Sequence, residues 1–136
     1  MTRQLVIVLG DQLDTASSAF DDFDPKQDVI WMAEVAEEST HVWSSKQRTV
    51  LFLSAMRHFA IELRARQTDG ARWTLDYTQL DDVANTQTLA SELARAISKH
   101  RPKKLILTAP GDWRVLQAIR SVALQASLEL ELRDDR

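Results

Sequence analysis

The segment Leu5 to Leu13, LVIVLGDQL, constrains the chain more than any other stretch: an unbroken apolar run stops at a glycine and is followed at once by an acid and an amide. An apolar run without alternation is the pattern of a parallel strand buried on both faces, and helices must then cover both sides of its sheet. Ligands of open α/β sheets sit beyond the carboxyl ends of such strands. Gly10, Asp11 and Gln12 are therefore candidate binding residues.

Further runs of this kind alternate with helical periodicity, the sequence sign of strands joined by crossover helices. The first strand spans Gln4 to Leu9 and the second Val29 to Val35. The polar connection between them carries Pro25 and room for a short helix near Ser17 to Phe20. From about Lys46 to Arg66, Phe52, Met56, Phe59 and Leu63 form one apolar stripe, which predicts an amphipathic helix whose outward edge includes Arg57 and His58. Asp69-Gly70 breaks it, and Trp73, Leu75 and Tyr77 alternate with polar residues as a third strand. A second helix runs from Thr88 to Lys99, a fourth strand from Leu105 to Thr108, and a third helix from Asp112 to Gln125. Leu128, Leu130 and Leu132 then alternate with charged residues as a half-exposed edge strand. With 136 residues the chain can bury one core, so residues 1–136 are expected to form one domain. The expected fold is α/β: a doubly wound, five-stranded parallel sheet, Rossmann-like, with helices on both faces and strand order 3-2-1-4-5.

In that order the winding reverses between strands one and four, so Gly10 to Gln12 and Pro110 to Trp113 border one crevice. The loop after strand two, from Glu34, brings Glu34, Glu37 and Glu38 toward it. Trp113 reads as an aromatic that packs helix against sheet.

Several functional classes lack their chemistry. A net charge of -3 argues against a domain built to grip phosphate backbones, and the short basic cluster Lys99 to Lys104 reads as the capped end of a helix, so DNA binding by the chain alone should be weak or nil. There is no cysteine, which removes disulfides, thiolate zinc and iron–sulfur ligation within the chain, and His41, His58 and His100 have no ligand-like spacing. The three glycines lie too far apart for a dinucleotide or phosphate-binding loop. His41, Ser44 and Ser45 lie close together, yet no nucleophile elbow accompanies them. No signal peptide or membrane-length apolar run is present, so a soluble, cytoplasmic protein is expected. The residues alone point to a small planar or phosphorylated ligand in a polar crevice.

Four segments in order carry a resemblance: LGDQL at Leu9 to Leu13, MAEV with a following Glu-Glu at Met32 to Glu38, LFLSAMRHFAIELR at Leu51 to Arg64, and TAPGDWRVL at Thr108 to Leu116. Together with LDDVANTQTL at Leu80 to Leu89, they make the chain resemble the amino-terminal antenna domain of the bacterial photolyase-related proteins, the iron–sulfur branch of photolyases and cryptochromes. The resemblance implies a light-harvesting module that binds 6,7-dimethyl-8-ribityllumazine in front of a catalytic domain. FAD and a 4Fe-4S cluster would belong to that carboxyl-terminal domain, and the activity to (6-4) photoproduct repair or blue-light sensing. Carried over by motif, the lumazine pocket would draw on Gly10, Asp11, Gln12, Glu34, Glu38, Gly111 and Asp112. The family pattern has Glu-Pro-Gly-Glu-Trp where Ala109-Pro110-Gly111-Asp112-Trp113 stands here, and a basic stretch in place of Trp43 to Lys46. A module that kept the fold and lost the pigment is the alternative.

Overall fold

A computed structural model of the chain describes residues 2–10, 12–14, 16–35 and 46–133. Its centre is β1 (Gln4–Ile7), where both faces are buried because Leu5 and Ile7 point one way and Val6 the other. β1 pairs in parallel with β2 (Val29–Ala33) on one side and with β6 (Lys104–Thr108) on the other. Outside β2 lies β5 (Leu75–Thr78), and outside β6 lies β7 (Glu129–Arg133), giving the all-parallel order β5-β2-β1-β6-β7. This is the expected 3-2-1-4-5 sheet, wound outward in both directions from β1.

Two layers of helix follow from that winding. A short 3-10 turn (Ser18–Phe20) and the long helix α1 (Lys46–Ala65) lie on one face, where Met56, Phe59 and Leu63 meet Val6, Ile30, Met32 and Ile106. Once the chain returns to β6 its crossovers lie on the opposite face. There α2 (Leu89–His100) and α3 (Trp113–Gln125) bury Leu89, Leu93, Ile119 and Val122 against Leu5, Ile7, Trp31 and Leu107. Side chains set the helix ends. The Thr88 hydroxyl accepts from the Ser91 amide at 3.3 Å to start α2, and the Asp112 carboxylate accepts from the Arg114 amide at 2.8 Å to start α3. Lys99 and His100 occupy the last turn of α2, where cations favour the dipole.

Three features differ from the sequence expectation. Between α1 and β5 the chain makes a small antiparallel hairpin, β3 (Gln67–Thr68) with β4 (Ala71–Arg72). Asp69 (φ 53°) and Gly70 (φ 80°) both have positive φ, the requirement of a tight two-residue hairpin turn, so Asp-Gly folds a hairpin there as well as following the helix. Trp73 consequently sits before strand β5 rather than in it. Its indole N–H donates to Thr68 Oγ1 at 2.9 Å, its ring lies 4.3 Å from Phe23, and the Arg66 guanidinium stacks 4.5 Å from it. Third, Trp113 does not pack helix to sheet. It is 68% exposed, because it shares a helical face with Arg120 and Leu124 while Ile119, Val122 and Ala123 make the buried face.

Candidate functional site

The carboxyl ends of β1 and β2 open into a cleft that α1 closes from above. Its walls are Val8, Leu9, Ala33 and Val35 from the strand ends and Phe52 and Met56 from the helix, with Gly10 and Glu34 at the floor. The cleft is narrow: the room for the centre of a water-sized sphere is about 10 Å³, close to what one water molecule needs. Phe52 accounts for this. A Cβ placed on Gly10 would lie 2.1 Å from Cζ of the Phe52 ring, so the ring rests on the bare backbone of the glycine. Only glycine permits that approach without movement.

Glu34 follows the last residue of β2 and its side chain is fully buried, which would be costly for an isolated charge. Every direction of its carboxylate is taken. Arg57, on α1, donates from Nε to Oε2 and from Nη2 to Oε1, both at 2.8 Å, in a two-pronged pair. The Tyr77 hydroxyl of β5 donates to Oε2, and the Leu80 backbone N–H donates to Oε1 at 2.8 Å. The Glu34 carbonyl in turn accepts from the Asn85 side chain at 2.6 Å. Burial pushes the Glu34 carboxyl up, but Arg57, Tyr77 and the Leu80 amide outweigh it and hold it below the ordinary carboxylate range. Burial and the hydrogen bond to Glu34 both push the Tyr77 phenol up, and the Glu34 bond raises the Arg57 guanidinium, so at neutral pH the group is carboxylate, phenol and guanidinium. The arrangement joins α1, the end of β2, the end of β5 and the loop after it. Arg57, read from sequence as an outward helix edge, stays partly exposed, yet its guanidinium reaches the fully buried Glu34 carboxylate.

The other expected site residues fall as follows. Gln12 lies at the switch point: its side-chain amide donates to the Thr108 carbonyl at 2.8 Å and its Oε1 accepts from the Leu9 amide at 3.4 Å, tying the end of β1 to the end of β6. Gly10 and Gly111 thus follow adjacent parallel strands, as the strand order requires. Gly111 faces open space and Asp112 caps α3. Asp11, Glu37 and Glu38 lie outside the described residues. Sequence reasoning missed Phe52, Tyr77 and the inward role of Arg57. A buried acid at a strand end does announce that it needs a partner, but several arginines of α1 competed for the part. Among the described residues no group of three side chains is arranged to hold a metal ion, and no helix is long and apolar enough to cross a membrane.

Comparison with known proteins gives the chain its relatives. The chain is 38% identical over 133 residues to a (6-4) photolyase of Agrobacterium fabrum (strain C58 / ATCC 33970), an alignment that spans 98% of this chain and 25% of that protein. The chain therefore spans about a quarter of the length of the curated relative it matches. A family model described as deoxyribodipyrimidine photo-lyase-related protein matches residues 6–136. With nearly the whole parallel sheet inside that match, the chain belongs to the deoxyribodipyrimidine photo-lyase-related family.

Proposed function

We propose that this domain is the antenna module of a photolyase-related protein and that the cleft over β1 and β2 is the seat of a lumazine chromophore. The observation that carries the reading is a family match over residues 6–136 coinciding with a glycine-floored cleft beside the switch point of the sheet. The residues suit such a group. Apolar walls and a bare glycine backbone accept a flat heteroaromatic ring, and carboxylates or backbone amides can fix its N–H and carbonyl groups. Because Glu34 and Gln12 already spend their polar atoms within the protein, Asp11 and Glu38 are assigned the hydrogen bonds to the ring and its ribityl chain. When bound, the lumazine supplies near-ultraviolet and violet absorption. The domain's own part is to hold and orient it.

On this reading the chain is one domain of a longer protein. FAD, the iron–sulfur cluster and any (6-4) photoproduct repair or photoreceptor signalling belong to the rest of that protein, since this sequence has no cysteine to ligate iron. The purified chain alone is then expected not to repair DNA under illumination, because the flavin supplies the electron chemistry.

A second reading, an interaction module without pigment, is favoured by one observation: ligand pockets usually enclose about 300–1,000 Å³, and Phe52 fills much of the cleft here. Titration with 6,7-dimethyl-8-ribityllumazine separates the two. The antenna reading expects binding with a shifted absorbance band. A loss of about tenfold to a hundredfold is expected in Asp11→Ala or Glu38→Ala, since a hydrogen bond to a charged group contributes about 1.5–3 kcal/mol. No binding by the unaltered chain at high micromolar lumazine would establish the pigment-free module.

A further inference from the structure

We infer that Arg57 is a positioning residue of the cleft: its paired bonds to Glu34 fix α1 over the ends of β1 and β2, and so set where Phe52 and Met56 stand as the cleft's movable wall. The inference rests on the antenna reading for its ligand and on the geometry of the described residues for everything else. Phe52, Met56 and Arg57 lie within about one and a half turns of a single rigid helix, so a shift of one is a shift of all. The opposite side of the cleft is the chain at and just past the ends of β1 and β2, held to the sheet by the Val8 amide donating to the Trp31 carbonyl at 3.0 Å and the Glu34 amide donating to the Thr78 carbonyl at 2.9 Å. Glu34 is the point at which helix, sheet and the loop at Leu80 are joined, since all three donate to its two oxygens. Within this network only Glu34 borders the space where a ligand would lie, and both its carboxylate oxygens are already taken by Arg57, Tyr77 and the Leu80 amide. Arg57 and Glu34 therefore act on the chromophore at one remove, and Glu34 is assigned to the clasp rather than to direct contact with the ring.

A guanidinium makes two parallel bonds to a carboxylate in a fixed plane, whereas an ammonium at the end of a lysine stem makes a point contact. Charge and orientation can therefore be separated by substitution. Arg57→Lys keeps the cation opposite Glu34 and loses the two-pronged geometry, Arg57→Met loses both, and Tyr77→Phe removes a single donor. Ile119→Val in the core of α3, on the other face of the sheet, serves as a control for general destabilisation.

Hydrogen exchange and lumazine titration are measured on the whole chain and on all four variants. In the absence of ligand, Arg57→Met is expected to speed exchange at the Leu80 amide and along α1 by about tenfold or more relative to β1, with Arg57→Lys intermediate. Ile119→Val should leave that ratio unchanged. With lumazine, Arg57→Lys is expected to weaken binding about tenfold and to broaden or shift the bound absorbance band, while Ile119→Val binds as the unaltered chain does. Equal affinity and equal band shape in Arg57→Lys, Arg57→Met and the unaltered chain would overturn the positioning role. If the unaltered chain binds no lumazine, the antenna reading fails separately and exchange decides the clasp: unchanged protection of Leu80 and α1 in Arg57→Met overturns it, and selective loss upholds it.

Discussion

The contact between Gly10 and Phe52 offers a direct test of how the cleft is built. In Gly10→Ala the new methyl carbon would stand 2.1, 2.8 and 3.0 Å from three atoms of the Phe52 ring. Unstrained carbon atoms meet at about 3.5–4.0 Å, so the ring must retreat by roughly 1.5 Å. Overpacking of this kind costs about 1–3 kcal/mol. The lower half of that range applies, because the obstacle is the tip of a rotatable, partly exposed side chain and not backbone. Gly10 does not have positive φ, so alanine adds no backbone strain. For a domain of this size, about 1–2 kcal/mol corresponds to a fall in Tm of roughly 3–6 °C. The assay is thermal and urea unfolding of Gly10→Ala, Phe52→Ala and the double variant. Phe52→Ala destabilises by itself through lost packing, but once the ring is gone the methyl group has nothing to meet, and the added cost of Gly10→Ala should fall to near zero. Such non-additivity is the signature of direct contact. If Gly10→Ala is neutral, or costs the same with and without the Phe52 ring, the ring does not rest on the glycine and the account of the narrow cleft is wrong.

Two other outcomes follow from the structure. Glu34, Asp22 and Glu131 all have carboxyls held below their ordinary range: Glu34 despite its burial through Arg57 and its other donors, Asp22 by the hydrogen bond from Arg133, and Glu131 by that from Lys104. Their stabilisation is present above the unfolded carboxylate values of about 4 and is lost as pH falls through the lower folded values. Urea midpoints should hold from neutral pH to about pH 5 and drop below about pH 4, with a shallower drop in Glu34→Gln; a midpoint insensitive to acid would contradict this. Asp112→Ala should cost about 1 kcal/mol through loss of the α3 cap, and Asp112→Ser should restore it. If Asp112→Ser recovers stability but not lumazine affinity, Asp112 contacts the ligand as well as capping the helix.

Much of this architecture is legible in the order of residues. The unbroken apolar runs at Leu5, Val29 and Leu105 require strands buried on both faces, and the stripes at Phe52 to Leu63 and Leu89 to Ile97 require helices to cover them. Winding rules then place the turns after β1 and β6 side by side. Turn chemistry was only half legible: Asp69-Gly70 marks a break in any reading, but the two short strands it joins, Gln67–Thr68 and Ala71–Arg72, carry no apolar alternation that would announce a hairpin. Trp113 was misplaced because apolarity argues for burial, whereas its angular position on α3 puts it opposite the sheet-facing residues.

What the order of residues could not decide is which charge meets which across the fold. Glu34 and Arg57 are 23 positions apart, and Glu34 and Tyr77 are 43 apart. Their pairing depends on the angle at which α1 crosses β2 and β5, which is set by the summed packing of Met56, Phe59 and Leu63 and not by any local pattern. The same angle puts the Phe52 ring on Gly10. Periodicity is a local property and fixes elements and faces. Contact between a buried acid and one arginine among several is a property of the assembled layers, because only there do desolvation and geometry choose a single partner.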